Sequence, residues 1–306
     1  MNTLSKTIIV IAAVVIVVSA GLLASGALNQ ASTSGDKVNA VVTIAPQESM
    51  VKAIGGDHVS VTLMVPAGQD PHTYEPTSGQ IGAVSDADIY FEVGSGVEFE
   101  VARMSALREV NPEMVLVNCS TNITLLEMGE GHGHEGEGQD HGATDPHVWL
   151  SPVNLKQMAR NVHDGLVQVD PAHAEDYDRN LQEYESRMDT LHENISAELA
   201  EYEGMEFMVY HPAWTYFAHE YELTQMAIEQ EGQEPGPAGI QAIIDQAREH
   251  GIHVIFVSPQ IDSSSAQVIA EEIDGEVVIT DPLPTDIETE LLNLAREMAD
   301  GFQKQG

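Results

Sequence analysis

From residue 37 onward, short runs of β-branched and aromatic residues alternate with longer stretches of helical spacing. Strands are predicted over 38–44 (VNAVVTI), 59–65 (VSVTLMV), 88–93 (DIYFEV) and 114–117 (MVLV). The second half repeats the style with 206–210 (EFMVY), 223–228 (LTQMAI), 252–257 (IHVIFV) and 276–279 (EVVI). Strands alternating with helical segments imply βαβ units, which need a parallel sheet. The prediction is an α/β protein with two domains. Each carries a mostly parallel four-stranded sheet flanked by helices.

Between the halves, residues 170–203 contain no glycine and one early proline. Tyr177, Leu181, Tyr184, Met188, Leu191, Ile195 and Leu199 recur at spacings of three and four. That is one narrow apolar stripe on a helix ~45–50 Å long. Asp170-Pro171 suits its start, and Gly204 its end. Such a stripe fits a rod lying across two domains; a coiled-coil dimer is the alternative. The expected organisation is therefore 1–36 as export segment and tether, 37–169 as the first domain, 170–203 as linker helix, and 204–306 as the second domain.

The first 36 residues follow a different pattern. Lys6 precedes an apolar run over 8–24, and small residues Ala24, Ser25, Gly26 and Ala27 resemble a cleavage site. A basic start before an apolar core is a secretory signal, which places the remainder outside the cytoplasm, at the cell surface or in a periplasm. The run exceeds the usual ~7–15 residues of a signal core and approaches a bilayer span, so retention as a membrane anchor is the favoured reading. No cysteine lies near its end for a lipid anchor. Residues 29–36 (NQASTSGD) read as a flexible tether. Sequons at Asn118, Asn122 and Asn194 permit glycosylation without establishing it.

Charge narrows the function. Acids outnumber bases 49 to 12, for a formal net charge of −37. Such a surface repels nucleic acid and anionic membranes, and draws cations. The one cysteine, Cys119, excludes an internal disulfide and a Cys-based zinc finger.

Four segments carry candidate metal chemistry, all at strand ends or in the loops that follow. They are GQDPHTYEP (68–76), DPHVWLSP (145–152), YHP (210–212) and TDPL (280–283). In open α/β sheets, ligands bind beyond the carboxyl ends of the strands. A lone histidine is usually structural. Two Asp-Pro-His triplets and a strand-end His-Pro form a more specific pattern. The three imidazoles of His72, His147 and His211 with one carboxylate would satisfy tetrahedral zinc. Imidazole suits Zn²⁺ better than Ca²⁺ or Mg²⁺. Asp70, Glu75 and Asp145 could orient the imidazoles from behind, although Asp145 serves equally as a cap. Residues 127–141 (EMGEGHGHEGEGQDH) hold five glycines, five acids and His132, His134 and His141. They are expected to form a mobile loop that samples metal weakly. His58, His163, His173, His192, His219, His250 and His253 read as surface or packing residues.

With these segments in this order, the chain resembles the metal-specific solute-binding proteins of ABC importers, in particular the zinc-type group. The resemblance spans roughly 38–300 and includes QEPGPA at 233–238. It implies one Zn²⁺, or Mn²⁺, held between two α/β domains joined by a long helix, then delivered to a membrane permease and its ATPase. Residue by residue, it implies His72, His147 and His211 as ligands. Asp281 matches a fourth position that some members leave to water. Manganese-type relatives usually carry Glu at the third position, so His211 favours zinc. A His- and acid-rich loop between the first two ligands is typical of zinc members. Two features depart from the pattern. The C-terminal disulfide of some members cannot form here, and the acidic excess suggests a salt-adapted source. A monomer without enzymatic activity is expected. A zinc hydrolase is the alternative of another class, but no HExxH or GxSxG is present. A third reading is a surface protein whose metal only stabilises the fold.

Overall fold

The computed structural model describes residues 37–127, 144–229, 233–260 and 264–305. The elements below lie in one compact unit, Val38–Gly306. The apolar run at 8–24 and the histidines His132, His134 and His141 fall outside the described residues. Among the described residues, no helix is long and apolar enough to cross a membrane.

The eight expected strands all form. In the first half they are β1 (Val38–Val42), β2 (Val59–Leu63), β3 (Ile89–Glu92) and β4 (Val115–Asn118). In the second they are β5 (Glu206–Val209), β6 (Thr224–Ala227), β7 (Val254–Val257) and β8 (Glu276–Ile279). Each half builds a four-stranded sheet, ordered β2-β1-β3-β4 and β6-β5-β7-β8. Every strand pair is parallel. Parallel sheets are covered on both faces, which is why the central strands read as unbroken apolar runs. In β7 all of Val254–Val257 is buried. The chain order reverses between β1 and β3, and again between β5 and β7. These reversals open a crevice beyond the strand ends.

Helices α1 (Ala45–Gly55), α2 (Ser78–Ser85), α3 (Glu98–Val110) and α4 (Pro152–Val169) flank the first sheet. Gly165 lets α4 lie close on that sheet, since a Cβ there would sit 2.8 Å from Phe91 and Val117. The long helix is α5 (Ala174–Leu199), 26 residues. It starts later than the sequence suggests, because Pro171–His173 form a separate 3₁₀ turn. Asp170 does not cap it; its carboxylate accepts hydrogen bonds from Tyr177 and His173. The helix also stops before Gly204, whose amide donates to the Glu222 carbonyl. Six of the seven stripe residues are buried, with Leu181 half-buried. The stripe packs α5 against α1, α4 and the C-terminal helix α9 (Ile287–Gln305). Helices α6 (Thr215–Glu220), α7 (Pro237–Glu249) and α8 (Ser264–Glu272) complete the second half.

One hydrophobic core runs from the first sheet through α5 into Trp214, Phe217, Leu291 and Phe302. A smaller cluster around Ile243, Ile255 and Ile269 belongs to the second half alone. The halves are thus fused by a shared core as well as joined by a rod.

Candidate metal centre

His147 follows Asp145-Pro146 on the way into α4. Asp145 is fully buried. Its Oδ1 accepts from the His147 amide (2.8 Å) and faces His147 Nδ1 at 2.7 Å. A carboxylate only accepts, so Nδ1 carries the proton and the Nε2 lone pair is left for another partner. The other oxygen, Oδ2, is buried without a hydrogen-bond partner among the described residues. A buried carboxylate so placed is costly unless a positive charge stands nearby.

His211 lies just past β5. Its Nδ1 faces Glu229 Oε2 at 2.7 Å. The backbone explains the pairing. The Glu229 amide donates to the Tyr210 carbonyl at 2.9 Å, which sets Glu229 beside His211 as the end of β6 follows β5. His72 is held differently. It sits in a turn closed by the Asp70 carbonyl, which accepts from the Thr73 and Tyr74 amides. Asp70 Oδ1 accepts from the His72 amide at 2.9 Å but lies 4.0 Å from its Nε2. Asp70 therefore shapes the turn and does not orient the ring. Glu75, expected in the same role, is turned to an ion pair with Arg103. The carboxylate nearest the ring is Glu98, 3.5 Å from Nδ1, on the first turn of α3.

The three rings converge. His211 and His147 have centroids 5.4 Å apart, and His211 and His72 6.1 Å. On a tetrahedral zinc with Zn–N ~2.0–2.1 Å, two imidazole centroids sit about 5 Å apart. The His147–His211 pair is close to that spacing, and His72 stands off. Accordingly, among the described residues no group of three or more His, Cys, Asp or Glu is already drawn together tightly enough to hold an ion. Side-chain exposure follows the same order, at 12% for His147, 17% for His211 and 46% for His72.

Asp281 follows β8. Its Oδ1 accepts from Gln260 Nε2 (2.6 Å) and from the Leu283 amide (2.9 Å). Glu290 fixes the segment by accepting from the Asp281 amide and the Thr280 hydroxyl. The next residue joins it to the other half. Trp149 Nε1 donates to the Pro282 carbonyl at 2.7 Å, and the Trp149 ring lies 5.2 Å from the His147 ring. The segments bearing Asp281 and His147 are therefore neighbours. Tyr216 makes a second tie, its hydroxyl donating to the Asp145 carbonyl and accepting from the Leu126 amide. Burial pushes that phenol up to about 12, so it remains a neutral donor.

The fold agrees with the comparisons. The family described as zinc-uptake complex component A, periplasmic (ZnuA) matches residues 40–305. The chain belongs to this family. It is a zinc-type solute-binding protein of ABC importers. Among the family's relatives, the high-affinity zinc uptake system protein ZnuA of Bacillus subtilis is 33% identical over 266 residues, covering 85% of this chain and 82% of its own. The zinc-binding protein AdcA of Streptococcus pyogenes is 28% identical over 263 residues; this chain spans 50% of its length and is 81% covered. A crystal structure of ZnuA superposes with a TM-score of 0.80 at 36% identity, covering 87% of this chain and 99% of the other.

Within this ZnuA-family fold, sequence reasoning named the three imidazoles, Asp281 and Asp145. It missed Glu229 and Glu98. Glu229 had a usable signal, an acid one residue past the end of a strand expected beside β5. Glu98 had none, because its approach to His72 depends on where α3 begins. Several histidines read as surface or packing residues also have polar partners. His58 and His173 stack at 3.8 Å, beside Asp176 and Asp170 respectively. His163 meets Asp164 and Asp178, and His192 lies 3.4 Å from Glu220. In so acidic a chain a surface imidazole readily meets a carboxylate.

Proposed function

We propose that this protein captures Zn²⁺ outside the cytoplasm, in the crevice between its two sheets, for delivery to a membrane permease with its ATPase. His72, His147 and His211 supply imidazole nitrogen, and Asp281 closes a four-membered shell. The observation that carries this reading is the convergence of three imidazoles from three separate loops, two of them backed by a carboxylate oxygen at 2.7 Å from Nδ1. Such backing fixes the tautomer and raises the basicity of the ligating nitrogen. The orphaned oxygen of Asp145 supports the same reading, because a cation on His147 would offset that buried charge.

Binding costs the ion its waters, which His147 and His211 replace first, being already near ligand spacing. His72 then closes by moving inward. The shared core and the Trp149–Pro282 and Tyr216–Asp145 bonds oppose a wide hinge opening. Release therefore proceeds by loss of His72, with only modest tilting, and the permease acts by binding that loosened form better than the closed one. Residues 127–141 carry histidine and carboxylate and precede the His147 segment in sequence, and Glu127 forms a β-bridge with Thr144. They act as an auxiliary collector of zinc. The apolar run at 8–24 exports the chain and retains it as an anchor. A shell closed by Asp281 leaves no position for a reactive water, which argues against a hydrolase.

Calorimetric titration of the metal-stripped residues 37–306 tests the reading. Tight 1:1 zinc binding that His211→Ala weakens sharply supports it. Tighter Mn²⁺ binding would keep the transport role and overturn the cargo. Weak binding unchanged by His211→Ala would place the metal elsewhere.

A further inference from the structure

Glu100 is a buried carboxyl group that the metal shell does not use. It sits on the first turn of α3 and points back at the loop between β3 and α3. Its Oε1 accepts from the Val93 amide (2.6 Å) and from the Thr43 hydroxyl (2.5 Å). Its Oε2 accepts from the Gly94 amide at 2.9 Å. Gly94 has φ +77°, and a Cβ there would meet the Asn118 side chain at 2.2–2.4 Å. Only glycine fits, and the carboxylate satisfies the amides of this sharp turn.

The turn so fixed reaches both first-half ligand segments. Ser95, one residue on, donates its hydroxyl to the Pro146 carbonyl at 2.5 Å, immediately before His147. Glu98, three residues further, is the carboxylate beside His72. One short element, 93–100, is thus bonded to the His147 segment and faces His72, and Glu100 ties it to the ends of β1 and β3.

We infer that Glu100 is a positioning residue for the metal site, holding the 93–98 turn so that Ser95 seats His147 and Glu98 faces His72. The inference rests on the zinc-site reading above and names residues outside the ligand shell. All three bonds to Glu100 come from donors, so the ionised form fits the turn best. Burial works against that form and pushes the carboxyl up to about 7, with Glu92 and Tyr90 on β3 and the Cys119 thiol as titratable neighbours. The opposition of burial and hydrogen bonding marks Glu100 as costly to keep for packing alone.

The test uses Co²⁺ as a spectroscopic probe in the intact exported chain, with Glu100→Gln, Ser95→Ala and His211→Ala variants. In Glu100→Gln an amide NH₂ replaces one acceptor oxygen, and the turn loosens. The expected result is a shifted visible Co²⁺ spectrum and cobalt loss faster by about tenfold, the scale of outer-shell substitutions. Ser95→Ala should move both readouts in the same direction while burying no new polar group. The His147 ring signals in the NMR spectrum of the metal-free protein should shift in both variants. Wild-type spectrum, cobalt loss and ring signals in folded Ser95→Ala would overturn the inference, even if Glu100→Gln failed to fold. If His211→Ala left cobalt binding unchanged, the zinc-site reading itself would fall, a separate failure.

Discussion

Two kinds of support meet at one site. His147 and His211 are mostly buried, and each places Nδ1 at 2.7 Å from a carboxylate oxygen. His72 is roughly half exposed, its backbone is held by Asp70, and its nearest carboxylate stands at 3.5 Å. The first arrangement spends folding energy before any ion arrives. Asp145 is buried with one oxygen unpartnered among the described residues, a cost that a bound cation would remove. The second leaves its ring free to move. A receptor must bind tightly and still let go. If the three imidazoles hold zinc as proposed above, the preorganised pair supplies affinity, and the loosely held third supplies a low-cost route for exchange. On the zinc-site reading proposed above, the shared core and the Trp149–Pro282 and Tyr216–Asp145 bonds make the His72 turn the movable part.

The sharpest way to break this comparison is to remove one member of the rigid pair. His211→Ala should weaken zinc at least about 100-fold, because it deletes a ligand and strands Glu229 without its imidazole partner. Competition titration against a chelating dye checks it. A loss no greater than that of His72→Ala would show that the two kinds of support are equivalent. Next come the carboxylates behind the rings. Asp145→Asn and Glu229→Gln should each cost about 10–100-fold in zinc affinity. Asp145→Asn should leave the metal-free protein no less stable, since it removes a buried charge with an orphaned oxygen. Urea unfolding with and without zinc separates the two effects.

The comparison also explains what was legible in the sequence. The eight strands announced themselves, because strands buried on both faces read as apolar runs between turn residues. The three candidate histidines stood out through their neighbours, an Asp-Pro pair before His72 and before His147 and a proline after His211. The helix start was misplaced because Asp170 was read as a cap; in the fold it accepts from two side chains instead. Glu75 was nominated on proximity in sequence, and Arg103, from another element, took it. Glu98, Glu100 and Ser95 left no trace, since their roles arise where α3 returns to the crevice. Residues that act through local sequence are readable; those that act through tertiary approach are not.

A pH measurement sharpens the contrast on the rigid side. Glu100 is buried and its carboxyl is raised to about 7 from 4.5, chiefly by desolvation. Its folded form holds the proton more tightly than the unfolded chain does. Its contribution to stability is therefore fully present below pH 4.5 and is lost as pH rises through about 7. The shift corresponds to roughly 1–3 kcal/mol, carried entirely within that window. Denaturant unfolding of the metal-free protein at pH 5 and pH 8 should show this slope, and Glu100→Gln should flatten it. An unchanged slope would mean that the turn relaxes to keep the carboxylate hydrated.

The smallest effect belongs to Glu98. It lies 3.5 Å from His72 Nδ1, and its side chain is about half exposed, so water and salt compete for the contact. Exposed ion pairs contribute ~0–1 kcal/mol, which limits Glu98→Gln to below about fivefold in zinc affinity. The effect should fade further at high ionic strength, where exposed charges are screened. The rate of release is the more telling quantity. If His72 leaves first, Glu98→Gln should speed zinc loss by as much as it weakens affinity, with association unchanged. Glu229→Gln, acting on a ring that leaves later, should move affinity far more. A Glu98→Gln variant that lost zinc as severely as Glu229→Gln would show that His72, too, needs a fixed carboxylate, and the division between rigid pair and movable third ligand would fail.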